Sequence, residues 1–155
     1  MIKYCLLKWD SNKGRLEKWL RTQQSEGKID RLGYKDLVVG VFENIINPPL
    51  NECEQYERTF DIRGITEIDN GDYQGTLLYL IPMDTYQPNR YEYFMTCIEY
   101  GSCSCCDTLQ GIQYNDDSEQ EIKDFMSLCK DIVSNIIRPY NSGWRYESIY
   151  DTVDY

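Results

Sequence analysis

Three strand-like segments lie close together in the middle of the chain, and their short connections constrain the fold most strongly. The predicted strands cover residues 60–68, 76–81 and 93–100. We expect a bulge at Gly64, and a middle strand buried on both faces and ended by Pro82. Asp69-Asn70-Gly71-Asp72 predicts a tight turn because Asn-Gly readily adopts positive φ. Since these connections are too short for a crossover helix, the sequence predicts an antiparallel meander.

Apolar residues at helical spacing flank the predicted sheet on both sides. On the N-terminal side they predict helices over residues 12–26 and Tyr34–Asn47. After the strands, a short helix is expected near Asp107, and the longest helix from Ser118, where Ser118-x-x-Glu121 has the form of a capping box. The pattern predicts an α+β fold, in which a three-stranded antiparallel meander packs one face against two N-terminal helices and one long C-terminal helix.

Charge is distributed unevenly along a chain whose length suits a single domain, residues 1–155. Residues 1–35, the basic helical N-terminal part, carry nine Lys or Arg and four Asp or Glu. The remaining residues carry seven Lys or Arg and 22 Asp or Glu. They divide into an acidic body (36–139) and an aromatic-acidic tail (140–155). This asymmetry predicts either a partner for one pole or packing of the basic part on the body.

Composition excludes several classes of function. The chain has no histidine, so Ser-His-Asp and Cys-His catalytic sites and ordinary His-ligated zinc sites are excluded. A net charge of −10 disfavours direct binding to nucleic-acid phosphates. No apolar run approaches the roughly 18–20 residues of a membrane span, which predicts a soluble cytoplasmic protein with its cysteines as thiols.

Cys103 and Cys106 form a C-x-x-C pair between the third strand and the short helix. A thiolate at this position would be stabilised by backbone N–H groups and the helix dipole, which indicates a reactive thiol. Zinc is a second interpretation. A Cys₄ site needs two further ligands, and because the chain has no second C-x-x-C pair, these would have to be individual cysteines from among Cys53, Cys97 and Cys129. In the third interpretation the loop is a tight turn whose sulfur atoms fill space.

The excess carboxylates, several of them next to tyrosine, suggest a protein-binding surface. Acidic groups at intervals resembling a phosphate backbone would dock in the cationic channel of a nucleic-acid enzyme, and tyrosine would add rigid contact area. The alternative is ordinary surface charge that keeps the protein soluble. The candidate partner-binding residues are Asp69, Asp72, Tyr73, Glu92, Glu99, Asp116, Asp117, Glu119 and Asp124.

Two segments resemble paired motifs of small uncharacterised proteins from phages and Gram-positive bacteria. They are residues 65–78 (ITEIDNGDYQGTLL) and 100–110 (YGSCSCCDTLQ). The second motif of that family usually has glycine where this chain has Cys105, whereas Cys103 and Cys106 match. The resemblance implies a phage-associated setting, and by analogy with small acidic phage proteins that block host defence nucleases it favours an inhibitor.

These observations lead to one principal functional hypothesis and two rivals. The first is a non-enzymatic acidic protein that binds and inhibits a host nucleic-acid-handling enzyme, in the manner of an anti-restriction or anti-CRISPR protein. It would use no cofactor and would contact neither nucleic acid nor membrane directly. The rivals are a thiol- or zinc-dependent function at Cys103 and Cys106, and a structural accessory protein that only pairs with another chain.

Overall fold

Four helices and a three-stranded sheet form the part of the chain that the computed structural model describes, residues 2–50, 59–114 and 116–138. The helices are α1 (Ile2–Ser25), α2 (Tyr34–Val41), α3 (Thr108–Gln113) and α4 (Ser118–Ser134). The strands are β1 (Thr66–Asp69), β2 (Gly75–Pro82) and β3 (Tyr93–Tyr100), arranged in the order β1-β2-β3. Both strand pairs are antiparallel, so the predicted α+β fold and its meander are confirmed.

The sheet has one buried face and one open face. Tyr79 pairs with Thr96 and Ile81 pairs with Phe94, and all four side chains are buried on the face that meets the helices. On the opposite face Ile68 is 46% exposed, and the neighbouring leucines of β2 are half-buried. The prediction that the middle strand is buried on both faces is therefore wrong, because the described helices cover one side alone.

Aromatic rings join the helices to the buried face of the sheet. Phe60 contacts Phe42 edge-on at a centroid distance of 5.3 Å and Phe94 at 4.3 Å. The hydroxyl of Thr96 donates to the carbonyl of Ile132 in α4 at 3.4 Å. Such aromatic contacts contribute about 0.5–1.5 kcal/mol each beyond the apolar area they bury.

Helix α1 begins ten residues earlier than the sequence predicted. Its buried stripe is continuous from the first turns onward, but two polar residues interrupt the apolar pattern there, so the periodicity was hidden. The stripe comprises Cys5, Lys8, Trp9, Asn12, Leu16 and Leu20. Lys8 Nζ donates to the carbonyl of Pro48 at 2.9 Å and Asn12 Nδ2 to that of Ile45 at 3.0 Å, which satisfies both buried groups.

The predicted helix over Tyr34–Asn47 is present as α2 followed by a π-helical turn, Phe42–Ile46. Helix α1 packs on this turn and on α4. The basic N-terminal part is also tied to the acidic body at the start of α4, where Arg21 forms a two-pronged contact with Glu119. Of the two interpretations of the charge asymmetry, packing of the basic helix on the body is thus observed.

The predicted bulge at Gly64 is wrong. Residues Ile62–Gly64 form a 3₁₀ turn, because the carboxylate of Asp61 accepts the N–H of Arg63 at 2.9 Å and competes with strand pairing. Phe60 contributes only an isolated bridge to Met83. The strand itself begins at Thr66.

The connection between β1 and β2 also differs from the expected tight turn. It spans residues 70–74, and among the described residues only Gly27 has positive φ. Side chains close the loop instead: Asn70 Oδ1 accepts the N–H of Thr76 at 2.7 Å, and Asp69 Oδ1 accepts that of Gly71 at 2.9 Å. A Cβ on Gly71 would lie 2.2 Å from the carbonyl oxygen of Gln74, so close approach of the chain explains this glycine.

Helix α4 starts at Ser118 as predicted, but the capping box is wrong. The capping residue is Asp117, whose carboxylate accepts the N–H groups of Glu119 and Gln120. Glu121 is buried and accepts instead from Gln24 Nε2 of α1 at 2.7 Å. With 17 residues α4 is shorter than α1, which has 24. Residues 140–155, the predicted tail, lie outside the described residues.

Candidate functional site

The register of the sheet gathers four carboxylates near the end that holds the β1–β2 connection. Asp69 pairs with Leu77, and Thr76 pairs with Glu99. The end of β1, the start of β2 and the end of β3 therefore meet, and Asp72 lies in the loop between the first two. We name Glu67, Asp69, Asp72 and Glu99 the hairpin-end cluster. All four are exposed; Glu67 and Asp69 lie on the face of the sheet that carries Tyr79, and Glu99 lies on the opposite face.

Two tyrosine hydroxyls fix part of this cluster. Tyr79 donates to Glu67 Oε2 at 2.7 Å, and Tyr100 donates to Asp69 Oδ1 at 2.8 Å. The pKa of Tyr79 is raised, first by burial and then by the bond to the Glu67 carboxylate. That of Tyr100 is raised chiefly by its bond to Asp69. Both phenols thus stay neutral donors and hold the two carboxylates in defined positions.

No described cation neutralises the cluster. None of its four carboxylates forms an ion pair within residues 2–50, 59–114 and 116–138. The sequence explains this, because Arg90 is the only Lys or Arg between residues 64 and 122, a span with eleven Asp or Glu. That cation-free span is a sequence signal that points to the site.

An open groove adjoins the cluster between β3 and the second half of α4. It has a volume of about 450 Å³, and its lining includes Glu99 and Asp131. Cys97 and Ile98 contribute sulfur and apolar surface to the same groove. Two carboxylates beside apolar surface suit the long stem and charged head of a lysine or arginine side chain.

The nine residues singled out in the sequence do not form one surface. Asp69, Asp72 and Glu99 belong to the hairpin-end cluster, and the adjacent Tyr73 is 83% exposed. Glu92 precedes β3, at the other end of that strand, and its carboxylate accepts from Asn89.

The remaining four acids lie around the start of α4. Asp117 caps the helix, and Asp124 accepts from Gln120 at 2.8 Å. The bond from Arg21 lowers the pKa of Glu119. Asp116 is exposed in the preceding connection. Three of these four therefore already have partners within the chain.

Cys103 and Cys106 lie on an exposed loop between β3 and α3, with their sulfur atoms 3.1 Å apart. The loop is a tight turn in which the Cys103 carbonyl accepts the N–H groups of Cys106 at 3.0 Å and Asp107 at 2.8 Å. Cys106 Sγ receives the N–H of Cys103 at 3.3 Å and lies 3.8 Å from the hydroxyl of Ser102. The pKa of Cys106 is lowered, mainly by hydrogen bonding from the Cys103 thiol and N–H.

Asp107 fixes the base of this loop through three hydrogen bonds to its carboxylate. Its carboxylate is 4% exposed and accepts from the N–H of Gly101 at 3.1 Å, the N–H of Gln110 at 2.8 Å and the hydroxyl of Tyr34 at 3.3 Å. Gly101 is required because a Cβ there would lie 2.4 Å from the carbonyl oxygen of Cys106. The loop is thereby connected to α2 as well as to α3.

The other described cysteines do not extend this pair into a metal site. Cys5 and Cys129 are buried, while Cys97 and Cys105 are exposed. Nowhere in the described ranges do three His, Cys, Asp or Glu side chains come together in a group able to hold a metal ion. Cys53, one of the zinc ligands considered from the sequence, lies outside those ranges.

Comparison with known proteins adds no relative. No protein-family model matches the chain, and no curated protein or solved structure matches it. The resemblance to the phage and Gram-positive family thus stays a prediction. In the described residues no helix is both long and apolar enough to cross a membrane.

Proposed function

We propose that this chain is a non-enzymatic acidic protein of phage type that binds and inhibits a host nucleic-acid-handling enzyme in the host cytoplasm. Its carboxylates would occupy the cationic channel that normally receives nucleic-acid phosphates, as an anti-restriction or anti-CRISPR inhibitor would. The observation that supports this is the hairpin-end cluster, in which four exposed carboxylates lie toward one end of the sheet, on both of its faces, without a described ion-pair partner.

The spacing of the cluster favours a strong combined field. Glu67 and Asp69 are two residues apart on one strand, which places them about 7 Å from each other. This is less than the Debye length of about 8–10 Å at physiological salt, so the fields of neighbouring carboxylates add instead of being screened separately. A concentrated negative potential steers a cationic partner and speeds association.

Apolar and aromatic surface beside the acids supplies contact area that charge alone lacks. Tyr73 is 83% exposed in the β1–β2 connection, and Ile68 is 46% exposed on the open face of the sheet. Tyrosine gives rigid contact area at a small entropic cost. The groove lined by Glu99 and Asp131 offers an entry for one basic side chain of the partner.

The test is inhibition of DNA cleavage by a panel of purified restriction endonucleases and RNA-guided nucleases. We expect the full chain to inhibit at least one of them, with affinity falling as salt rises and with duplex DNA competing for the enzyme. The variant Asp69→Asn/Asp72→Asn/Glu99→Gln should bind about 10-fold more weakly, because exposed charge pairs contribute about 0.2–1 kcal/mol each.

The matched control removes the same charge elsewhere. Asp30, Glu43 and Asp84 are exposed and lie outside the cluster. The variant Asp30→Asn/Glu43→Gln/Asp84→Asn should inhibit like the unmodified chain. Equal weakening by both triple variants, or binding that saturating DNA leaves unchanged, would refute the proposal, as would the absence of inhibition across the panel.

A further inference from the structure

We propose that Cys103 and Cys106 are a redox-active dithiol that closes into a reversible disulfide by exchange with a low-molecular-weight disulfide such as oxidised glutathione. This site is separate from the hairpin-end cluster, and the proposal holds whether or not the chain inhibits a nuclease. Three features support it: the distance between the sulfur atoms, their exposure, and the hydrogen bonds that converge on one of them.

The turn brings the two sulfur atoms together before any reaction. They are 3.1 Å apart, and a disulfide bond is about 2 Å long, so closure needs a movement of about 1 Å. The Cys103 carbonyl holds the turn closed by accepting two backbone N–H groups. Since both thiols are exposed, a small disulfide in solution can reach them.

Cys106 is the attacking thiol. Its sulfur accepts the N–H of Cys103 at 3.3 Å, which stabilises the thiolate relative to the thiol. By contrast, burial raises the pKa of Cys5 to about 11 and that of Cys129 to about 12, which keeps both as inaccessible thiols. Cys97 and Cys105 are exposed, but neither has a described hydrogen-bond donor to its sulfur.

The exchange proceeds in two steps, formation of a mixed disulfide and then of the internal disulfide. The Cys106 thiolate attacks one sulfur of the small disulfide, forms a mixed disulfide and expels one small thiolate. The Cys103 thiolate then attacks the Cys106 sulfur, forms the internal disulfide and expels the second small thiolate. Two electrons pass from the protein sulfurs to the small disulfide, and the two protein protons end on the two small thiols.

The surrounding loop favours closure within the chain over a stable mixed adduct. A Cβ on Gly101 would lie 2.6 Å from Cys106 Sγ, so glycine leaves the space that this sulfur occupies. Asp107 holds the Gly101 N–H and thereby fixes the backbone at the base of the turn. The second thiol is therefore already adjacent when the mixed disulfide forms at Cys106.

The experiment equilibrates the full chain with glutathione buffers of increasing oxidised fraction, quenches with acid and maps disulfides by mass spectrometry of peptides. We expect the unmodified chain to release two glutathione molecules per oxidised glutathione consumed and to contain a Cys103–Cys106 link. Cys103→Ser should release one and retain a glutathione adduct on Cys106. Cys105→Ser and Cys97→Ser are the matched controls at exposed thiols, and they should behave like the unmodified chain.

Two results would overturn the proposal. One is a Cys103–Cys106 pair that stays reduced at every buffer composition while Cys97 or Cys105 acquires glutathione. The other is a mapped link from Cys105 to either partner, with Cys105→Ser abolishing closure. Neither result would bear on nuclease inhibition, provided that the inhibition assay contains an excess of reducing agent.

Discussion

Replacement of Asp107 by alanine should cost far more stability than replacement of any exposed acid. The carboxylate is 4% exposed and caps α3 by accepting the N–H of Gln110 at 2.8 Å. The loss of such a cap costs about 1 kcal/mol. The buried N–H of Gly101 would lose its acceptor as well, at about 1–3 kcal/mol. The hydroxyl of Tyr34 loses a partner too, although it still accepts the N–H of Leu109.

We therefore expect Asp107→Ala to lower the free energy of unfolding by about 3 kcal/mol. This is a large share of the roughly 5–15 kcal/mol typical of a domain. The free energy of unfolding of Asp107→Asn should lie between those of Asp107→Ala and the unmodified chain, because the asparagine amide keeps one acceptor oxygen and replaces the other with a donor.

Urea denaturation followed by far-UV circular dichroism measures these differences, and the slope with denaturant should stay unchanged. Asp116→Ala is the matched control, since Asp116 is exposed in the connection after α3 and should change stability by less than about 0.5 kcal/mol. The reasoning is refuted if Asp107→Ala costs no more than this control, which would mean that water satisfies the freed groups.

Two further predictions concern the buried polar and sulfur groups. Lys8 is 2% exposed, so Lys8→Ala should lower the free energy of unfolding by about 2–4 kcal/mol in urea denaturation. Lys8→Met should lower it less, because methionine keeps the volume of the lysine stem. Equal losses for the two variants would contradict the packing argument. Burial raises the pKa of Cys129 to about 12, so its thiol stays neutral in the folded chain while the unfolded chain ionises above about pH 9. The contribution of this neutral thiol to stability is complete below about pH 9 and is lost as the pH rises toward 12. The free energy of unfolding has fallen by about 2 kcal/mol at about pH 10.5. Cys129→Ala should lose correspondingly less stability than the native chain between about pH 8 and 10.5, and parallel losses would contradict the assignment.

Strands β2 and β3 were well predicted because their signals are local. Tyr93–Tyr100 is a run of apolar and aromatic residues between a Pro/Asn-containing loop and a glycine, and β3 has these bounds. The start of α1 was missed because its buried stripe contains Lys8 and Asn12, whose partners Pro48 and Ile45 lie more than thirty residues away. A buried lysine looks like a surface residue until its acceptor is known.

The candidate sites depended on distances that a sequence does not contain. The C-x-x-C spacing suggested Cys103 and Cys106, but the 3.1 Å between their sulfurs follows from the geometry of the turn. Glu99 comes near Asp69 at one end of the sheet only through the strand register, which the sequence does not contain. Conversely, Glu119 looked available in the sequence, yet it binds Arg21 of α1, 98 residues earlier in the chain.

Helix α1 and the three strands carry net charges of opposite sign. Its exposed cations, among them Lys13, Arg15 and Lys18, lie on a helix that packs against α4 and the π-helical turn, whereas the cation-free strands pack on α4 through Thr96. Charges of opposite sign on different elements respond in opposite ways to the field of a charged surface before the two touch. A positively charged surface is thus attracted by the strands and repelled by α1, and a negatively charged surface the reverse.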